Sequence, residues 1–76
     1  MTALNDQNQY IGTYSAYSVR DLDGHLLYWH DDENEVFSVA HPGEGEYFTR
    51  AVCMLVGELV DGVARDSNNE VIFKLA

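Results

Sequence analysis

Seventy-six residues carrying 13 acidic and 4 basic side chains, a net charge of −9 and 46% hydrophobic content describe one small folded domain. The chain is too apolar for a disordered acidic tail, and its field has the wrong sign for direct binding to nucleic acid or anionic lipid. A lone cysteine, Cys53, excludes a disulfide framework, and no run reaches the roughly 18 apolar residues that a membrane span requires.

Residues 1–9 are polar and rich in Asn and Gln. They lack the basic and apolar regions of a signal peptide, and are expected to form a loose N-terminal segment before a single domain over residues 10–76. The expected location is cytoplasmic. From Tyr10 to Val19 the chain is rich in Tyr, Ile, Thr and Val, which suit a pleated surface. Asp23-Gly24 then supplies a hairpin turn, because that pair accepts the positive φ of a tight reversal. The return strand is His25–His30. A two-residue loop sets Leu22 opposite His25, Val19 opposite Tyr28 and Ser18 opposite Trp29, and makes Tyr17 face His30. A bulged turn would slip that register.

Asp31–Glu35 reads as a second turn and Val36–Ala40 as a third strand, broken by His41-Pro42-Gly43. Between Glu46 and Arg65, apolar residues at Phe48, Val52, Leu55, Leu59 and Val63 recur at three- and four-residue intervals, which predicts a helix. Glu44 and Glu46 suit its positive end and Arg65 the other. Glu46–Arg50 and Asp61–Arg65 become i,i+4 ion pairs. Beyond a loop at Asp66–Asn69, Val71, Phe73 and Leu75 alternate with Ile72 and Lys74, so the chain finishes on a strand. The expected fold class is α+β, in the order β-β-β-α-β: a largely antiparallel sheet with one helix packed on one face.

The apolar and small residues of that helix would cover an arc of about 220°, against the roughly 100° that one contact needs. Cys53, Gly57, Val60 and Ala64 gather along one edge of it. They are the candidate self-association surface of a homodimer, with a curled sheet or loop over that edge as the plainer explanation.

Charge supplies the main functional signal. Between Asp21 and Glu35 stand six carboxylates (Asp21, Asp23, Asp31, Asp32, Glu33, Glu35) and no Lys or Arg. Aromatics concentrate in the same region, and Tyr and Trp favour interfaces because they combine large area with a polar tip. The candidate partner-binding residues are therefore these six carboxylates together with Tyr17, Tyr28, Trp29 and His30. Acidic turns also serve solubility alone; the missing countercharge is what points toward a partner.

Chemistry is less well represented. His25, His30 and His41 lie near several carboxylates. Yet Asp21–Gly24 places its glycine fourth instead of sixth and has no glutamate at the twelfth position of a calcium loop. Cys53 has neither a cation nor a helix N-terminus to activate it. No nucleophile elbow or phosphate loop is present, and carboxylates on turns lack the dry pocket that acid–base pairs need. The expectation is a non-enzymatic inhibitor without metal or cofactor. It would dock an acidic, aromatic surface on a basic, nucleic-acid-binding protein, as a phage or mobile-element protein acts against host nuclease, restriction or CRISPR machinery. An immunity protein or antitoxin, and an assembly subunit joined through the helix, are the alternatives.

Overall fold

The computed structural model describes residues 1–39 and 53–76. They form an all-β closed barrel of eight strands: β1 (Thr2–Leu4), β2 (Tyr10–Ser15), β3 (Ser18–Arg20), β4 (Leu26–His30), β5 (Glu35–Val39), β6 (Cys53–Val60), β7 (Val63–Arg65) and β8 (Val71–Leu75). Each strand is antiparallel to the next, and β8 returns to β1 through Ala3 opposite Leu75 and Leu4 opposite Lys74. Every described strand thus has a neighbour on both sides, which removes the exposed edge that invites sheet-to-sheet pairing.

One turn design recurs four times among the described residues, at Asn5, Asp21, Asp31 and Asp66. In each, Oδ1 of the leading residue accepts the backbone N–H groups two and four residues on. The leading N–H in turn donates to the carbonyl four residues later. The fourth residue sits in the left-handed region: Asn8, Gly24, Asn34 and Asn69 have φ of 64°, 84°, 63° and 66°. Asn and Gly tolerate that region, and Asp or Asn at the first position closes the loop on itself. The Asp21, Asp31 and Asp66 carboxylates are therefore architectural.

The pairing register also repeats. Thr13–Arg20, Tyr14–Val19 and Ser15–Ser18 between β2 and β3 recur 45 residues later as Glu58–Arg65, Leu59–Ala64 and Val60–Val63 between β6 and β7. Val19–Tyr28 followed by the bulged Arg20–Leu26 recurs as Ala64–Phe73 and Arg65–Val71. Ala3–Gly12 matches Val36–Gly57, each followed by a register shift. The barrel is thus two copies of a four-stranded unit, β1–β4 and β5–β8, related by a pseudo-two-fold. Glycine holds the same place in both. A Cβ on Gly12 would overlap the Arg20 carbonyl oxygen, and one on Gly57 that of Arg65. Only glycine allows the two strands to cross so closely.

The interior obeys the same symmetry. Ala3, Val19, Val36, Leu59, Ala64 and Phe73 form the buried cluster, with Ile11, Tyr14, Leu27, Tyr28, Val56, Ile72 and Leu75 packed against it. These pair across the pseudo-two-fold as Ala3 with Val36, Ile11 with Val56, Tyr14 with Leu59, Val19 with Ala64, Leu27 with Ile72 and Tyr28 with Phe73. Leu75 is left over, and its counterpart is His30.

This architecture corrects the α+β expectation: no helix occurs among the described residues. Cys53–Val60 is a strand, Asp61-Gly62 is a tight turn with φ of 52° and 81°, and Val63–Arg65 is the next strand. The three- and four-residue spacing misled because β6 exposes apolar side chains as well as burying them, with Met54, Leu55 and Val60 more than half exposed. The amino-terminal part of that expected helix, with Phe48, Arg50 and Val52, lies outside the described residues. So do Ala40, His41 and Glu44. Asp61 and Arg65 are not one helical turn apart, and Arg65 instead donates to the Asn69 carbonyl at 3.1 Å. The segment read as loose contains β1. Tyr10–Val19 is not one strand but β2, a turn at Ala16-Tyr17, and β3. Val19 opposite Tyr28 and Ser18 opposite Trp29 hold, whereas a register shift between Val19 and Arg20 sets Arg20 opposite Leu26 and breaks the Leu22–His25 pairing.

The expected self-association edge dissolves with the helix. Ala64 is fully buried in the barrel, Gly57 is pressed against Arg65, and Cys53 Sγ accepts the Trp29 indole N–H at 3.1 Å. Their small size answers to barrel curvature, and of the four only Val60 is exposed.

Gly12→Ala and Gly57→Ala are each expected to lower unfolding free energy by about 3 kcal/mol in a urea titration. Asp66→Ala costs about 1 kcal/mol, and Asp66→Asn, which keeps the accepting oxygen, restores most of it.

Candidate partner-binding site

The two halves differ most where β2, β3 and β4 meet at one end of the barrel. In the β5–β8 half the matching positions are Leu59, Asp61-Gly62 and Leu75, an apolar solution with a favoured two-residue turn. In the β1–β4 half they are Tyr14, Ala16-Tyr17 and His30. Tyr14 Oη lies 2.6 Å from His30 Nε2, and His30 Nδ1 lies 3.0 Å from the Asp31 carbonyl. A carbonyl only accepts, so Nδ1 carries the proton of the neutral ring and Nε2 accepts from the Tyr14 hydroxyl. Both ring nitrogens of this buried histidine are thereby satisfied. Tyr17 packs on its other side, ring centroids 4.7 Å apart.

Burial, with Tyr17 as a second cause, pushes the Tyr14 hydroxyl above the ordinary tyrosine value of 10.0. The folded state therefore holds that proton more tightly than the unfolded chain. The associated stability is complete below pH 10 and is lost as pH rises through Tyr14's own pKa.

The turn that presents Tyr17 is strained. Ala16 and Tyr17 have φ of 51° and 67°, in the left-handed region where a side chain costs about 1–2 kcal/mol per residue. Tyr17 is nevertheless 55% exposed. Ala16, Tyr17, Trp29, His30, Asp31 and Asp32 line an open cavity of about 380 Å³ at this place. A larger groove of about 870 Å³ runs along β6 and β7 between Leu55 and Asn69.

The expected partner-binding residues divide between the two ends of the barrel. Successive connections of an antiparallel meander lie at alternate ends, so Asp21 and Asp23 sit across the length of β4 from Asp31, Asp32, Glu33 and Glu35. The row of six carboxylates is therefore two clusters. Tyr28 leaves the site altogether, packing into the core with its ring centroid 5.4 Å from that of Phe73. Tyr17, Trp29, His30, Asp31 and Asp32 come together. Sequence reasoning singled out those five but not Tyr14, whose spacing from His30 gives no local signal. A comparison of Gly12-to-Trp29 with Gly57-to-Lys74 would have exposed it.

Cations segregate the other way. Arg20 donates to the Gly24 carbonyl, Arg65 to the Asn69 carbonyl and Lys74 to Asn8 Oδ1, all on turns of the far end. The near end carries Asp31, Asp32, Glu33, Glu35 and Asp61, with no Lys or Arg among the described residues.

Metal ligation has limited support. Asp21, Asp23 and His25 form one set, and Asp31, Glu33 and Glu35 another, with candidate ligand atoms within 4.8 Å of each other. In both, the leading aspartate already caps its own turn. The His25 backbone N–H, followed by that of Asp23 and the His25 ring, holds the Asp21 carboxyl below its ordinary value of 3.8 against a smaller opposing effect of burial. The stability linked to it is present above that value and is lost as pH falls through the lower folded pKa.

Two outcomes are expected. Ala16→Asn with Tyr17→Gly gives the turn its favoured pair and raises the unfolding free energy in a urea titration by about 1–2 kcal/mol. In a 295 nm alkaline titration the Tyr14 hydroxyl ionises above the ordinary value of 10.0, and Tyr14→Phe removes that late step.

No helix among the described residues is long and apolar enough to cross a membrane. Comparison with protein-family models, curated proteins and solved structures finds no match to this chain, so the functional reading stands on the geometry of the site.

Proposed function

We propose that this chain is a non-enzymatic, protein-binding inhibitor that docks the acidic near end of the barrel on a basic, nucleic-acid-binding surface of a target protein. The observation that carries the reading is the cavity that joins exposed Tyr17 and half-buried Trp29 to Asp31 and Asp32. Aromatic anchors ringed by charge of one sign suit a protein partner of the opposite sign, with the charge steering encounter and the aromatics supplying contact area. Two further features support it: among the described residues the near end holds carboxylates with no Lys or Arg side chain, and the net charge is −9. A nucleic-acid-binding groove is a protein surface with a matching field. Nucleases and the restriction or CRISPR complexes of a host fall in this class, and an RNase-like or DNase-like toxin would be met by the same physics.

The test is capture of basic proteins on immobilised chain, with elution by duplex DNA or RNA and a salt series. The expected result is retention of a nucleic-acid-binding protein that DNA or RNA displaces. The variant Asp31→Asn, Asp32→Asn, Glu33→Gln, Glu35→Gln keeps the turn acceptor Oδ1 and should weaken that retention about tenfold. Retention unaltered by the four substitutions contradicts the proposal.

A further inference from the structure

We infer that the cavity between Tyr17, Trp29 and Asp31-Asp32 is a recognition pocket for a single arginine side chain of the partner protein. This deepens the protein-binding reading above and rests on it. The pseudo-two-fold isolates the pocket. Its β5–β8 counterpart shows that the barrel closes at this place with Leu59, Leu75 and an Asp-Gly turn. Building Tyr14, His30 and a left-handed Ala16-Tyr17 instead buries polar groups and strains the backbone, costs that closure does not require. Such departures from the locally favoured solution mark functional positions.

Size and chemistry select the occupant. At about 380 Å³ the cavity stands near the lower bound of ligand pockets, about 300 Å³, and suits one long side chain. Its lining joins Tyr17, Trp29 and His30 with Asp32 and with Asp31, whose Oδ1 also caps its own turn. A guanidinium uses both at once, stacking its plane on an aromatic face and directing its N–H groups at a carboxylate. Both His30 ring nitrogens are already hydrogen-bonded within the chain. The Lys and Arg side chains of the described residues are held on turns at the far end, and the N-terminal ammonium donates to the Tyr14 carbonyl; none of them lines the pocket. An anion would meet carboxylates, and a neutral apolar side chain would leave their charge uncompensated.

Trp29 is the only tryptophan, so its fluorescence reports the pocket directly. The probes are the capped peptides Gly-Arg-Gly and Gly-citrulline-Gly, which differ in charge and hardly in shape, titrated into the intact chain. Amide shifts of the ¹⁵N-labelled protein are followed in parallel. The expected result is a saturable Trp29 response to the arginine peptide, weaker by about fivefold for citrulline and for Tyr17→Ala. Shifts should centre on Tyr17, Asp31 and Asp32. An equal response to citrulline overturns the inference, as do shifts of similar size at the Asp21–His25 and Asp66–Glu70 turns, the mark of diffuse counterion binding. The two readings fail separately. Arginine-peptide binding without capture of any basic protein removes the inhibitor reading and keeps the pocket, whereas DNA-displaced capture without peptide binding removes the pocket alone.

Discussion

Two backbone crossings govern this molecule. At Gly12 and Gly57 the chain passes so near the carbonyls of Arg20 and Arg65 that a Cβ has no room. A sheet of such short strands closes only if it coils strongly, and strong coiling requires places where one strand presses on the next. Glycine at these positions supplies both. With the crossings in place, β8 reaches β1 and every described strand is paired on both sides. A barrel this small has a thin core, so the satisfied ladder and the self-closing Asp and Asn turns take a large share of the ordering that a bigger hydrophobic interior would otherwise provide.

The repeated four-stranded unit turns the protein into its own comparison. Positions that match across the pseudo-two-fold, such as Val19 with Ala64 or Tyr28 with Phe73, report what closure demands. Positions that differ report what closure merely allows. The differences gather around Tyr14, Ala16-Tyr17 and His30, at the end where acid collects without base. Backbone bonds follow the symmetry even there: His30 N–H donates to the Tyr17 carbonyl as Leu75 N–H donates to that of Gly62. The scaffold is thus conserved between halves while the side chains diverge, which is how a binding site is added to a fold without altering it.

How much of this was legible in the sequence depended on the range of the signal. The Val19–Tyr28 and Ser18–Trp29 pairing, the meeting of Tyr17 with His30 and the final strand Val71–Leu75 are local, and periodicity or a nearby turn revealed them. The barrel was hidden by one ambiguous run. Val52, Leu55, Leu59 and Val63 are spaced like a helix face, and the apolar outer side chains Met54, Leu55 and Val60 erase the alternation that marks a half-buried strand. Asp61-Gly62, a hairpin pair in the middle of that run, was the contrary sign. The duplication was fainter still, since Gly12, Arg20 and Asp21 recur as Gly57, Arg65 and Asp66 amid otherwise different residues. The acidic row between Asp21 and Glu35 was visible as composition. Its division between two ends of the barrel follows from the length and direction of β4, which composition does not contain.

The central claim is that the Tyr14–Tyr17–His30 cluster serves binding and that the barrel folds without it. Its most direct measurement is the urea unfolding of a symmetrised chain bearing Tyr14→Leu, Ala16→Asp, Tyr17→Gly and His30→Leu, the residues already present in the other half. The expected result is a single cooperative transition with a midpoint at or above that of the parent protein. A lower midpoint, or loss of the cooperative transition, would show that the cluster holds the barrel together and would contradict it.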